Sequence, residues 1–238
     1  MKKYSLLILL VLCVNLVIAS GKDEGDEKKP VPDLPGVIMI DFGFNLSQSA
    51  PSDLETNWFK SKSFGAYYMK SYKLGKKMSF DPAIGINLEK YGFSNDITIG
   101  YQTTGTTTEL SVIDLSGFDE VKKSQLAMNY LDIPLQLKYY LKNNEVKGSA
   151  YVSVGAIASL LIESHTKVKF KDGGRDQTVK TRDNFEMNKI RYGLQGRFGF
   201  GSVNFFYKHY FSTLFNSNGP VGATDITTNT IGISISGL

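Results

Sequence analysis

The 238-residue chain is poor in the residues on which much protein chemistry depends: it has one cysteine, one tryptophan and two histidines. A single cysteine excludes a disulfide scaffold, and two histidines without clustered partners give no metal-ligand spacing. An excess of charge of one sign is also missing. Lys+Arg 27 against Asp+Glu 23 gives +4, and no basic run interleaves with aromatic residues, so nucleic acid is not an expected partner. No glycine-rich loop leads into a helical pattern. Gly173-Gly174, followed by Arg175-Asp176, reads as a turn, and nucleotide binding has no support. Beyond Ser20 no apolar run approaches the roughly 20 residues that a membrane-crossing helix needs. What the chain does have is 23 glycines, 13 tyrosines, 15 phenylalanines and 42% hydrophobic residues, a composition of strands and turns.

The amino end reads as a secretory signal peptide. Lys2 and Lys3 precede an apolar core running from Leu6 to Ile18, and Val17-Ile18-Ala19 supplies the small residues a signal peptidase accepts. Cleavage is expected after Ala19. A lipoprotein signal would place a cysteine at the new terminus, whereas Cys13 lies inside the apolar core. Losing residues 1–19 removes Lys2, Lys3 and Cys13, which leaves 25 basic against 23 acidic residues and no thiol. Residues 20–35, which include GKDEGDEKKPVPDLP, mix charge with proline and are expected to form an extended periplasmic tether. The folded domain is expected over residues 36–238.

Within that domain, segment after segment alternates with period two, as strands do. Ile38, Ile40, Phe42, Phe44 and Leu46 share one face, opposite Met39, Asp41, Gly43 and Asn45. A second, ambiguous segment puts Phe64, Ala66, Tyr68, Tyr72 and Leu74 together, with Lys70 as the exception. Met78 to Leu88, Leu131 to Leu141 and Val152 to Ile162 each carry an apolar set against a polar one containing, in turn, Asp81 and Glu89, Asp132 and Lys138, and Ser153 and Glu163. Ile190, Tyr192, Leu194, Phe198 and Phe200 oppose Arg191 and Arg197. Val203, Phe205, Tyr207 and Phe211 oppose Lys208, and Ile231, Ile233 and Ile235 close the series of eight.

The gaps alternate in length. Long connections at 47–63, 93–124, 164–188 and 213–228 separate tight turns near Gly75-Lys76, Lys142 to Lys147 and Gly201-Ser202. An even strand count with alternating short and long connections is the organisation of an outer-membrane barrel with short periplasmic turns and long external loops. Aromatic residues gather at strand ends as two girdles: Tyr72, Phe80, Tyr139, Phe198, Phe200 and Phe205 at the periplasmic rim, and Phe44, Phe64, Tyr192 and Phe211 at the other.

The polar faces decide which way the barrel points. They carry Asp41, Asp81, Glu89, Asp132 and Glu163 with Lys138, Arg191, Arg197 and Lys208. Directed at lipid, each Arg or Lys would cost roughly 2 to 4 kcal/mol at mid-bilayer, so these side chains are expected in the lumen. There they either line a water-filled path or form a salt-bridged plug. Eight strands leave an interior just wide enough for side chains to fill, which favours the plug. Pro82 and Pro134 each remove a ladder donor, so a bulge or strand end is expected at both.

The segments SFDPAIGINLEKYG (79–92), NYLDIPLQLKYYL (129–141) and the glycine-containing strand GAIASLL resemble the PorT-like outer-membrane β-barrel proteins of Bacteroidetes-type bacteria. The resemblance covers about residues 36–238. It implies an eight-stranded outer-membrane barrel and, for some members, a link to secretion or assembly of surface proteins; it implies no shared catalytic residues. The carboxyl end departs from the aromatic finish of many such barrels, since Leu238 is out of phase with Ile231, Ile233 and Ile235.

His165 with loop serines or Asp183 would assemble a base and a nucleophile only by accident of folding, and an enzyme is not expected. The external loops are the expected working surface. Loop two is Thr-rich and net negative, while loop three carries Lys167, Lys169, Lys171, Arg175, Lys180 and Arg182. The two loops either pair with each other, meet anionic lipopolysaccharide or a protein, or stay solvated. The sequence thus predicts an all-β, eight-stranded antiparallel up-and-down transmembrane barrel in the bacterial outer membrane. Its expected role is that of a membrane-embedded binding or assembly component with no cofactor, meeting outer-membrane lipid, lipopolysaccharide and an envelope protein partner. The alternatives are a secreted soluble barrel for a small apolar ligand and a narrow channel.

Overall fold

A computed structural model describes residues 36–142 and 149–237. The expected signal peptide, its cleavage point after Ala19 and the tether to Pro35 lie outside the described residues, as do most of the turn at Lys142 to Lys147 and the terminal Leu238. Thirteen strands follow one another among the described residues: β1 (Val37–Gln48), β2 (Thr56–Asn57), β3 (Lys62–Met69), β4 (Tyr72–Lys73), β5 (Met78–Phe93), β6 (Ile97–Thr104), β7 (Thr107–Asp114), β8 (Glu120–Tyr140), β9 (Ala150–Asp172), β10 (Arg175–Arg182), β11 (Ile190–Phe200), β12 (Val203–Tyr210) and β13 (Thr227–Ser236). Eight of them pair antiparallel in a closed ring: β1, β3, β5, β8, β9, β11, β12 and β13, with β13 returning to β1 from Met39↔Ser236 to Gln48↔Thr227. Closure leaves no free strand edge in the bilayer, which is what lets strands cross hydrocarbon at all.

The period-two alternation sets the faces as the sequence predicts. Asp41, Asn87, Asp132, Ser159, Arg191 and Lys208 are buried inside the ring, while Phe42, Ile84, Ile133, Leu160, Tyr192 and Tyr207 stand exposed outside it. A soluble ligand carrier is thereby overturned, because the apolar side chains that would line its cavity point outward instead. At the tilt of about 40° usual in such barrels, the 11 residues of β11 would climb roughly 25 Å, the height of the apolar band of an outer-membrane barrel. Phe200 and Val203 pair across the two-residue turn Gly201-Ser202, where Gly201 takes φ 60°, a conformation suited to a tight hairpin. At the opposite rim Trp58 and Phe59, unanticipated, join Phe44 with ring centroids 5.5 and 6.1 Å away.

Two expectations need correction. Neither proline makes a bulge. The β5–β8 ladder pairs Pro82 with Leu135 and resumes at Gly85↔Asp132 in the same register, and Pro134 pairs with Ile157 of β9. The missing donors fall side by side in one ladder and interrupt it without inserting a residue. Long loops two and three are also largely strand: β6 and β7 form a hairpin of their own, and β8 and β9 continue past the membrane to pair from Glu120↔Lys171 downward. The strands outrun the bilayer because Val168 and Phe170 alternate with Lys167, Lys169 and Lys171 and find a core to cover.

Candidate functional site

Side chains from all eight ring strands converge in the lumen. Arg197 of β11 donates from both terminal nitrogens to Asp41 of β1, at 2.9 and 2.7 Å. Lys208 of β12 lies 3.1 Å from the same carboxylate and donates to the Tyr67 hydroxyl of β3 at 2.9 Å. That hydroxyl in turn donates to Asp132 of β8 at 3.0 Å. The result is one continuous relay from Arg197 to Asp132. Nearer the external side, Arg191 of β11 donates to Glu89 of β5 at 2.8 Å and to Thr228 of β13 at 3.2 Å. Its guanidinium sits between the rings of Tyr130 and Tyr210, 4.0 and 4.2 Å from their centroids. Tyr210 shares a hydrogen bond with Ser159 of β9 at 3.0 Å. At the short-turn end, Lys138 meets Asp81 at 2.6 Å, and Ser71 donates to the same acid.

Glycines make room for these bulky residues. A Cβ on Gly85 would sit 2.2 Å from the Ala66 carbonyl oxygen and 2.5 Å from the Tyr67 ring, and one on Gly232 would press on the Phe206 ring at 2.8 Å. Small residues beside large ones are how a narrow barrel interior fills. Above the ionic layer lies an apolar cap: Leu54, Tyr91, Phe93, Ile99, Phe185 and Phe215 belong to one buried cluster. Phe185 and Glu186 hold φ of 48° and 49°, uncommon for residues other than glycine, and the turn they make drives the Phe185 ring into that cap.

The structure brings together eight of the nine predicted lumen residues: Asp41, Asp81, Glu89, Asp132, Lys138, Arg191, Arg197 and Lys208. Glu163 is the correction. The β8–β9 register shifts between Asn129↔Glu163 and Tyr130↔Leu161, and this bulge turns Glu163 outward, where it pairs with Arg182 of β10 at 2.9 Å. Without it the lumen holds four carboxylates against four cations. The aromatic members Tyr67, Tyr130, Phe206 and Tyr210 escape sequence reasoning because it assigns aromatic residues to lipid. Their odd or even placement opposite exposed neighbours is the available signal.

The predicted basic patch is a sheet face rather than a loop. Lys167, Lys169 and Lys171 on β9 share their outward face with Lys180 and Arg182 of β10, since Lys180 pairs with Lys167 and Arg182 with His165. Arg175, opposite Asp172, belongs to the other face at the hairpin tip and does not join them. Lys90 and Lys123, unforeseen, do. The two loops also pair with each other: Lys122 meets Asp176 at 2.6 Å and Lys171 meets Glu120 at 2.8 Å. His165 faces outward in that sheet. His209 contacts Asn229 at 2.5 Å and lies edge-on to Phe211, 4.9 Å between centroids. Among the described residues no group of three His, Cys, Asp or Glu side chains is placed to hold a metal ion.

Comparison with known proteins supplies a family. No curated protein matches the chain in sequence. Among solved structures, Ail, the attachment invasion locus protein of Yersinia pestis, crystallised with the heparin analogue sucrose octasulfate, is 14% identical with a TM-score of 0.36, covering 86% of this chain and 98% of Ail. Neisserial surface protein A is 11% identical with a TM-score of 0.38, covering 85% of this chain and 96% of that protein. The outer membrane protein beta-barrel domain family matches residues 37–218, most of the chain. With its closed ring, outward apolar band and inward charges, this chain belongs to the outer membrane protein beta-barrel domain family, whose place is the bacterial outer membrane.

Proposed function

We propose that the protein is a membrane-embedded binding or assembly component that works through its external sheet, not through its lumen. The observation that carries this reading is the pairing of a filled interior with strands that continue beyond the membrane. Arg191 and Glu89 are fully buried toward the external end of the lumen, and the apolar cluster around Phe185 and Phe215 covers them. A path for solutes would require those ion pairs to part in a desolvated interior, at several kcal/mol each. The outer ends of β5, β8 and β9, with the β6–β7 hairpin, form a second packed body on which a partner can dock rigidly. Likeness of residues 79–92 and 129–141 to PorT-like barrels of Bacteroidetes-type bacteria supports a finer role in secretion or assembly of surface proteins.

The test removes the external body while keeping the barrel. Replacing residues 97–114, or 166–181, with a short Gly-Ser turn is expected to leave a protein whose gel mobility still changes on boiling and which still fractionates with the outer membrane, while surface display of exported proteins falls. An unchanged surface-protein profile in both deletions overturns the reading, and stepwise conductance of the intact protein in planar bilayers replaces it with a channel.

A further inference from the structure

We propose that the outward face of the external wall, built from β5, β8, β9 and β10, seats the phosphate groups of an outer-leaflet glycolipid, with Lys90, Lys123, Lys167 and Lys169 as the contacting cations. This goes beyond the binding role above and does not depend on a protein partner. Strand register places the four lysines. Lys90 pairs with Ala127, Ala127 with His165, and His165 with Arg182, forming one row across four strands. One step further out Gln125 pairs with Lys167 and Lys167 with Lys180; in the next row Lys123 pairs with Lys169. With about 4.8 Å between strands and about 6.8 Å between same-face residues, these ammonium groups share a patch roughly 15 Å across. The other face of the same strands is packed core, with Tyr91, Leu126, Val168 and Phe170 buried, so the wall that carries the lysines is fixed.

None of the four lysines has an ion-pair partner among the described residues. The carboxylates in reach are engaged elsewhere: Glu120 with Lys171, Asp176 with Lys122 and Glu163 with Arg182. Among the described residues no acid forms an ion pair with Lys90, Lys123, Lys167, Lys169 or Lys180. Burial, and then the neighbouring Lys90, Lys167 and Lys169, hold the Lys123 ammonium below its ordinary pKa. Burial and then Lys180 act likewise on the His165 imidazole, against the opposing pull of Glu163. A cluster of like charges on a rigid sheet costs energy that a bound dianion removes.

Height in the membrane selects the anion. Down the same outward face Lys90 is followed by Leu88, Ile86 and Ile84, and Ala127 by Asn129, Leu131 and Ile133, so the patch runs without a break into the lipid-facing wall. One same-face step, about 6.8 Å along the strand, separates Lys90 from Leu88, which puts its ammonium in the headgroup layer. Beside it, where β11 leaves β9 and before β10 joins, a recess of about 370 Å³ lined by Leu161, Ser164, Arg182, Asp183 and Lys189 offers both charge signs to a sugar headgroup.

The test uses the full chain in maltoside micelles, titrated with fluorescent diphosphorylated lipid A and with the same lipid A dephosphorylated. The intact protein is expected to prefer the phosphorylated form by about tenfold or more at physiological salt, with inorganic phosphate at equal concentration failing to compete. The combined variant Lys90→Gln/Lys123→Gln/Lys167→Gln/Lys169→Gln is expected to lose that preference while retaining its heat-dependent gel shift. Arginine at the four positions is expected to restore it. Equal binding of both lipids by the intact protein, or an undiminished preference in the glutamine variant, overturns the proposal. If the fourfold variant does not fold, the pair Lys123→Gln/Lys167→Gln takes its place, and an undiminished preference in that pair overturns the proposal equally. Purified lipid reports nothing on secretion, so failure here leaves the external-sheet role standing, and the reverse.

Discussion

Arg197 and Asp41 lie 156 residues apart in the chain and on strands separated by two others, yet they meet through a two-pronged contact of 2.9 and 2.7 Å inside the ring. Forming it requires the sheet to close, because only closure brings β1 around to face β11 across the lumen. The pair therefore reports on barrel closure directly. Replacing Arg197 with alanine leaves the Asp41 carboxylate buried with Lys208 as its remaining cation, and is expected to cost about 3 kcal/mol. The triple variant Arg197→Met/Asp41→Leu/Lys208→Met, which removes every charge of this cluster, is expected to cost less than the single one. Urea unfolding in lipid vesicles measures both, and a triple variant less stable than the single one would show that the three residues act independently.

Arg191 is expected to tolerate no lysine. Its planar guanidinium is gripped by two tyrosine rings while reaching Glu89 and Thr228, a geometry an ammonium does not reproduce. Arg191→Lys should lower stability by about 2 kcal/mol and Arg191→Ala by more, read as lower temperatures for the gel-mobility change. Equal behaviour of the lysine variant and the parent would contradict the stacked arrangement.

Gly85→Ala is expected to block assembly. The added methyl would lie 2.2 Å from the Ala66 carbonyl oxygen on the neighbouring strand, backbone that cannot move without opening the β3–β5 ladder. Gly105→Ala, at a hairpin tip with no atom near, carries only the strain of its φ of 66° and is expected to cost about 1 kcal/mol. Comparing the folded fraction of the two after refolding into vesicles separates a clash within the barrel from a backbone preference outside it.

The external sheet should loosen in acid. The Lys122 ammonium hydrogen-bonded to Asp176 holds that carboxyl below its ordinary pKa, and Lys171 does the same for Glu120. Both carboxyls are lowered on folding, so the stability they contribute is present above their unfolded pKa of about 4 and is lost as pH falls through the lower folded values. Carbon-detected NMR titration of the two side chains is expected to give midpoints below the free values, and Lys122→Ala is expected to raise Asp176 most of the way back, leaving the pull of Lys171 and Lys169, and Glu120 only slightly.

Much of this is legible in the chain. Alternation from Ile38 to Leu46, or from Leu131 to Leu141, states which face is greasy, because a strand's side chains alternate whatever surrounds them. Charges such as Asp132 and Arg191 then have to point inward, since lipid solvates no ion. The outer ends of β8 and β9 read as loop because lysine at every second position hides a strand whose other face, Thr166, Val168 and Phe170, is core. Glu163 defeats the pattern for a local reason: one extra residue at a bulge reverses the phase of everything beyond it, and no composition announces it.

By itself the sequence determined the class of the object: the number of ring strands, orientation and membrane, all of which follow from periodicity and the cost of charge in hydrocarbon. Which acid meets which base across the lumen was left to the closed ring, as was the stacking of Tyr130 and Tyr210 on one arginine, while the gathering of lysines from β5, β8 and β9 on one wall was left to the registers of neighbouring strands. The first two relationships join residues far apart in the chain, and their distances exist only once the last strand has paired with the first.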